Sequence, residues 1–344
     1  MKRLKNMNEL GKSLAAIGIA LIVGAVFIML SGESPINAYG ALLRGALGSP
    51  RSIANTISKS IPLAFTGLAV ALSSRCGMLN IGAEGQLHAG AMASVFTALA
   101  LSTVLPAPLL LLVSIFAGIF AGMLIGSIPG FFKAKLNTSE VIVAIMLNYI
   151  CTLFTSYLVN GPLKAPGSTA QTHVIPEGVW FPRLIGKTQL TGAVFLLIAV
   201  AIAMYIFLWK TSLGYQLRAV GANRSAAGTA GIKVNLFLIM SMVLSGGLAA
   251  LAGITEVFGK YHRYIEGFSP SFGFTGIAVA ILGRNHPAGV ILTALLFGIM
   301  DMGSLRMSRV TDVSTNMVTV VQSLVILLVA APELIKWNKN RKRG

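Results

Sequence analysis

Charge is what this chain has least of. Only 11% of its 344 residues are Asp, Glu, Lys or Arg, against about 25% in soluble domains, and no polar run is long enough to fold as a separate water-exposed domain. Cysteine is scarce as well. Cys76 and Cys151 each lie inside or beside an apolar run, and two lone thiols build neither a disulfide framework nor a metal site. They read as small packing residues. The histidines His88, His173, His262 and His286 are scattered without metal-ligand spacing. Nothing resembles a nucleophile beside its base, which argues against an enzyme. Gly11-Lys12-Ser13 and Gly186-Lys187-Thr188 imitate the end of a phosphate loop. The glycine that such a loop needs five residues earlier is replaced by Asn6 and Phe181, so neither is a nucleotide site.

Apolar sequence is what the chain does have: 55% hydrophobic residues and a mean hydropathy of +0.79. An integral membrane protein of the all-α class follows, because a lipid-spanning helix needs about 20 mostly apolar residues. Ten segments qualify: Leu14–Leu30, Ile57–Ser74, Gly85–Leu105, Leu109–Phe131, Val141–Val159, Leu190–Leu208, Leu236–Phe258, Phe272–Leu282, Ala288–Gly303 and Met317–Ala330. The eighth is short. The first follows Lys2, Arg3, Lys5 and Lys12 in the manner of a signal peptide, but its long apolar run and the absence of a small-residue cleavage site read as an uncleaved span.

The net charge of +17 is a topology signal rather than a nucleic-acid footprint, because the basic residues sit between spans and at both ends. With residues 1–13 in the cytoplasm, seventeen of the 27 Lys and Arg fall on the inner face, the basic tail 335–344 among them. Both termini are then cytoplasmic in a single transmembrane domain covering 1–344. Loop 160–188 faces outward and loop 210–234 inward.

One stretch breaks the apolar pattern. Gly77-Met78-Leu79-Asn80-Ile81-Gly82-Ala83-Glu84-Gly85-Gln86 lies between two strongly apolar segments. Its glycines loosen the backbone, and Asn80, Glu84 and Gln86 bring polar groups to membrane depth, where a charge costs at least roughly 2.5–3.5 kcal/mol. Non-helical backbone survives there only when buried in protein or lining a wet cavity. A broken or re-entrant segment near 76–86 on a translocation path follows, a tight polar turn being the alternative. An internal repeat points the same way. Phe65-Thr66-Gly67-Leu68-Ala69-Val70-Ala71-Leu72 recurs as Phe274-Thr275-Gly276-Ile277-Ala278-Val279-Ala280-Ile281, with Arg75 and Arg284 in the same register. In the topology above both copies run from outside to inside. Gly118, Gly122, Gly126 and Gly130 form a four-residue ladder, a device for close helix packing.

The inner loop is the second special segment. Asn223 or Ser225 can cap a short helix, Ala226 and Ala227 favour it, and Gly231 is placed to end it. A helix too slight to fold alone suits insertion into a groove on a soluble partner.

Together, Gly77–Gln86, the segment Asn137-Thr138-Ser139-Glu140-Val141-Ile142-Val143-Ala144-Ile145-Met146-Leu147-Asn148-Tyr149-Ile150 and the loop Leu213–Ile232 resemble bacterial ABC importer permeases. That superfamily covers branched-chain amino acid, simple sugar and nucleoside permeases. The Asn-Ile-Gly-x-Glu-Gly-Gln version is most similar to the nucleoside-type branch. The resemblance implies a permease paired with a second permease subunit, identical or paralogous, two cytoplasmic ATPase subunits that use ATP, and an extracytoplasmic substrate-binding lipoprotein in the bacterial cell membrane. No cofactor is expected on this chain. It implies a substrate path lined by Asn80, Glu84, Gln86 and Asn148, with Glu84 alternatively capping a helix N-terminus. It also implies ATPase coupling through Gly214, Arg218, Gly221, Asn223, Ala226, Ala227 and Gly231. The family's usual Glu-Ala-Ala loop signature is not spelled out. A ribose or other sugar permease is the nearest alternative. An ion-coupled carrier using Glu84, Glu256 or Asp301 is a further one.

Overall fold

Helix dominates because lipid offers no partner for backbone N–H and C=O groups, and a helix satisfies them within itself. A computed structural model describes residues 18–19, 21–30, 32–311 and 314–324. Within them lie α1 (Leu21–Leu30), α2 (Pro35–Leu47), α3 (Pro50–Arg75), α4 (Ala83–Ala100), α5 (Ala107–Leu136), α6 (Glu140–Asn160), α7 (Ala193–Lys210), α8 (Ser212–Ala222), α9 (Arg224–Thr229), α10 (Val234–Glu256), α11 (Phe272–Leu282) and α12 (Pro287–Val310). Residues 315–324 are also helical. Six of these helices, α3, α5, α6, α7, α10 and α12, are long and apolar enough to cross a membrane.

The ten expected spans are helical over most of their described residues, with 101–105 and 190–192 outside the helices, and the eighth coincides with α11. Residues 14–17 and 20 of the first span and 325–330 of the last lie outside the described residues, as do the N-terminal segment 1–13 and the whole basic tail. The sequence reading did not anticipate α2, which Pro35 opens at a first-turn position where its missing N–H costs nothing.

The chain forms two units, Met1–Lys59 with Leu295–Gly344, and Ser60–Ala294. In the smaller, Ile28, Ala38, Leu42, Met300, Met307, Val318 and Val321 make the core. Gln322 Nε2 donates to Asp301 Oδ1 at 2.8 Å there, and Tyr39 donates to the Leu21 carbonyl.

The larger unit is built around α3. Every residue from 60 to 73 is buried, as expected for a helix apolar all round. The glycine ladder of α5 packs on α10. A Cβ on Gly122 would lie 2.4 Å from the Gly246 carbonyl oxygen, and one on Gly126 2.4 Å from that of Met242. Backbones approach this closely only over small residues. By contrast α6 exposes Ile142, Met146, Tyr149, Leu153 and Tyr157, an apolar face of the kind lipid or another transmembrane chain covers.

The two repeat copies are direct neighbours. Thr66 Oγ1 donates to the Phe272 carbonyl at 3.0 Å, and Arg75 donates to the carbonyls of Asn285 and Arg284 at 2.8 and 3.0 Å. Early residues meet early and late meet late, so α3 and α11 run the same way. The loop 160–188 has a single 3-10 turn, Glu177–Val179. It is laced to the segment after α10: Phe181 N donates to the Phe258 carbonyl, Ile175 N to His262 and Thr172 N to Tyr264. The final turn of α10 widens into a π-helix, Val257–Tyr261.

Candidate functional site

The break between α3 and α4 is held by side-chain amides. Asn80 Nδ2 donates to Gln86 Oε1 and to Ser245 Oγ, each at 2.7 Å. Asn80 Oδ1 accepts from Gly82 N at 3.0 Å and Gln86 Nε2 at 3.1 Å. All four hydrogen-bonding positions of the Asn80 amide are therefore used within the protein. Ser245 passes the chain on by donating to the Ala69 carbonyl of α3. Asn148 reaches across from α6: its Oδ1 accepts from Gly85 N at 2.8 Å and its Nδ2 donates to the Ile81 carbonyl at 2.9 Å. It thereby satisfies one of the orphan amides that open α4. Asn80 and Gln86 are fully buried and Asn148 nearly so.

Glu84 is placed differently. It lies in the first turn of α4, and its Oε2 accepts from Gly273 N, in the first turn of α11, at 2.6 Å. Two helix N-termini thus meet on one carboxylate, each with its partial positive charge. Gly273 permits this: a Cβ there would stand 2.3 Å from the Glu84 backbone nitrogen. On the other side Glu84 Oε1 faces His88 Nε2 at 3.4 Å, and His88 Nδ1 shares a hydrogen bond of 2.7 Å with the Tyr264 hydroxyl. Glu84 thus caps the first turn of α11 and also borders a cavity.

That cavity, of about 260 Å³, is bounded by Glu84, His88, Tyr264 and Glu266 together with the hydroxyls of Thr152, Thr155, Ser156, Ser269 and Ser271. Glu266 accepts from Ser156 Oγ and, at 3.1 Å, from Asn160 Nδ2. These two donors hold its carboxyl below the usual carboxylate range. Of the expected path residues, Glu84 borders this chamber. Asn80, Gln86 and Asn148 instead secure the bent backbone beside it. The sequence reading passed over the other lining groups. A signal existed in Asn148, Thr152, Thr155 and Ser156, spaced as one stripe on an otherwise apolar helix.

The loop 210–234 folds as α8 and α9. Thr211 Oγ1 caps α8 by accepting from Gly214 N, and Asn223 Oδ1 caps α9 by accepting from Ala226 N, each at 3.1 Å. Gly231, at φ +80°, ends α9, with Ile232 N donating back to the Ala227 carbonyl. Gly214 lies on the Phe207 carbonyl, where a Cβ would be 2.0 Å away, and Gly221 on that of Arg75 at 2.2 Å. Arg224 donates to the Gly77 carbonyl at 2.9 Å, and Arg75 and Arg218 both lie over the Trp209 ring, at 5.2 and 5.8 Å from its centroid. Ala227 is buried, whereas Leu213, Tyr215, Asn223 and Ala226 are exposed. The loop is thus braced on the very residues that begin the break.

Of the carboxylates an ion carrier would need, Glu256 is paired: Lys260 Nζ lies 3.0 Å away, one turn on.

A lipid-spanning helical unit with a secured helix break, a polar chamber above it and an exposed loop braced below it is a multi-pass membrane transport subunit. The chain belongs to the branched-chain amino acid transport system permease family, whose model matches residues 52–330. It is 34% identical to the nucleoside ABC transporter permease protein NupB of Lactococcus lactis, over 94% of this chain and 91% of that one. It is also 34% identical to the guanosine ABC transporter permease protein NupP of Bacillus subtilis, over 99% of each chain. A third relative, the glucose ABC transporter permease protein TsgB13 of Haloferax volcanii, is 32% identical over 95% of this chain and 88% of its own.

Proposed function

We propose that this chain is the membrane-spanning permease subunit of an ATP-driven importer for nucleosides or related sugars. Partner ATPases dock on α8–α9 and a second permease subunit completes the path. An extracytoplasmic binding protein delivers the solute, and both termini of the chain lie in the cytoplasm. The observation that carries this reading is the contact between loop and break: Gly221 on the Arg75 carbonyl and Arg224 on the Gly77 carbonyl. A push on the exposed loop is transmitted without an intervening layer to the segment leading to Glu84. Partner nucleotide state then biases the permease between outward- and inward-open forms through differential contacts with this loop. Glu84 borders the solute path, while Asn80, Gln86 and Asn148 keep the broken backbone in shape.

The test is uptake of radiolabelled guanosine and ribose in cells carrying the permease with its neighbouring ATPase and binding protein. Deleting 218–232 abolishes guanosine accumulation while the protein still reaches the membrane. Accumulation that survives the deletion and follows a proton or sodium gradient overturns the proposal in favour of an ion-coupled carrier. Uptake of ribose or glucose alone keeps the permease assignment and replaces the substrate.

A further inference from the structure

The chamber contains two carboxylates, Glu84 and Glu266, and neither lysine nor arginine lines it. An anion entering it meets repulsion from both. The two helix N-termini that would otherwise attract an anionic group are already answered by the Glu84 carboxylate through Gly273 N. What remains is acceptor capacity. An ionised carboxylate offers about four lone-pair sites, and Glu266 receives Ser156 Oγ and Asn160 Nδ2, which leaves room for donors from a ligand. Thr152 and Thr155 add hydroxyls on the same wall.

Size and ring geometry narrow the ligand further. A volume of about 260 Å³ falls just below the roughly 300–1,000 Å³ of sites for drug-sized molecules, room for a single ring. The aromatic groups beside it face each other edge to face: His88 to Phe268 at 71° and Tyr264 to Phe268 at 75°. They offer no parallel pair of ring faces to sandwich a planar base.

We infer that this chamber holds the hydroxyl-bearing ring of a neutral solute, the ribose of a nucleoside, whose vicinal hydroxyls donate to Glu266 and Glu84. The base stays outside it, and phosphorylated forms are refused. The inference rests on the nucleoside import proposed above and assigns part of the selectivity to the permease itself.

The test uses the intact permease–ATPase complex in nanodiscs without its binding protein, titrated directly with tritiated guanosine and tritiated ribose. Guanine, 2′,3′-dideoxyguanosine, glucose and guanosine monophosphate serve as competitors. Guanosine and ribose bind, and guanine does not compete. The dideoxy analogue and the monophosphate are each weaker than guanosine by about tenfold or more, the scale of one hydrogen bond to a charged group. Glu266→Gln, at an exposed position, weakens guanosine about tenfold and narrows its advantage over the monophosphate. Guanine competing as well as guanosine, or the monophosphate binding equally well, overturns the assignment. So does an affinity untouched by Glu266→Gln. Binding of ribose and glucose with no binding of guanosine sustains the hydroxyl-ring site and overturns the nucleoside reading instead.

Discussion

The Glu84 carboxylate accepts the backbone amide of Gly273 at 2.6 Å across 189 positions of sequence, joining the first turns of α4 and α11. Removing the carboxylate leaves a buried amide and His88 Nε2 without their partner. Glu84→Ala is expected to cost about 2–3 kcal/mol, read as a lower melting temperature of the purified complex, with loss of uptake. Glu84→Gln keeps an acceptor for Gly273 N and recovers most of the stability. Equal melting temperatures for Ala and Gln would show that the contact does not hold the two helices.

Gly221→Ala tests the brace between loop and break. Its Cβ would fall 2.2 Å from the Arg75 carbonyl oxygen, a clash with backbone, whereas a Cβ on Gly186, far from the coupling loop in sequence, meets nothing within 4 Å. Gly221→Ala should reduce uptake at least about tenfold, in line with the 1–3 kcal/mol of overpacking, while Gly186→Ala transports normally. Similar uptake in the two variants would mean that α8 need not touch α3.

Asn80→Asp replaces the donating Nδ2 by an acceptor, so Gln86 Oε1 and Ser245 Oγ both lose a buried donor. A destabilisation of about 1–3 kcal/mol is expected, visible in detergent melting curves. A milder effect should follow from Ser245→Ala, which removes one of the four bonds of the Asn80 amide together with its own bond to the Ala69 carbonyl. Asp at 80 leaving the melting curve unchanged would argue that the amide ring is dispensable.

Glu266 supplies a pH prediction. Ser156 and Asn160 depress its pKa below the free value of 4.5, so the ionised form persists as pH falls through the ordinary carboxylate range and is lost only at lower pH. Guanosine uptake in proteoliposomes should therefore hold through that range. Ser156→Ala removes the first of the two donors and moves the acid limb of the profile to higher pH. An acid limb that does not move would uncouple Glu266 from solute handling.

Hydropathy alone located the spans, because lipid demands long apolar helices and leaves few other choices. Glycine, polar and capping residues located the break at Gly77–Gln86 and the short helix α9 with its Asn223 cap and Gly231 stop, since both are set by neighbours within a few residues. The helix α2 escaped notice because its apolar residues are interrupted by Asn37, Tyr39 and Arg44.

What sequence could not supply was partnership. Asn80 and Asn148 read as groups facing a path, but Ser245, Gly85 and Ile81 occupy their hydrogen bonds. Which polar side chains stay free for a solute depends on partners tens to hundreds of positions away. The chamber is decided in the same way. Glu84 comes from α4, Thr155 and Ser156 from α6, and Tyr264 and Glu266 from the turn before α11. Only the packing of α4, α6 and α11, with glycine at 273 letting two helix ends meet, brings these groups around one space.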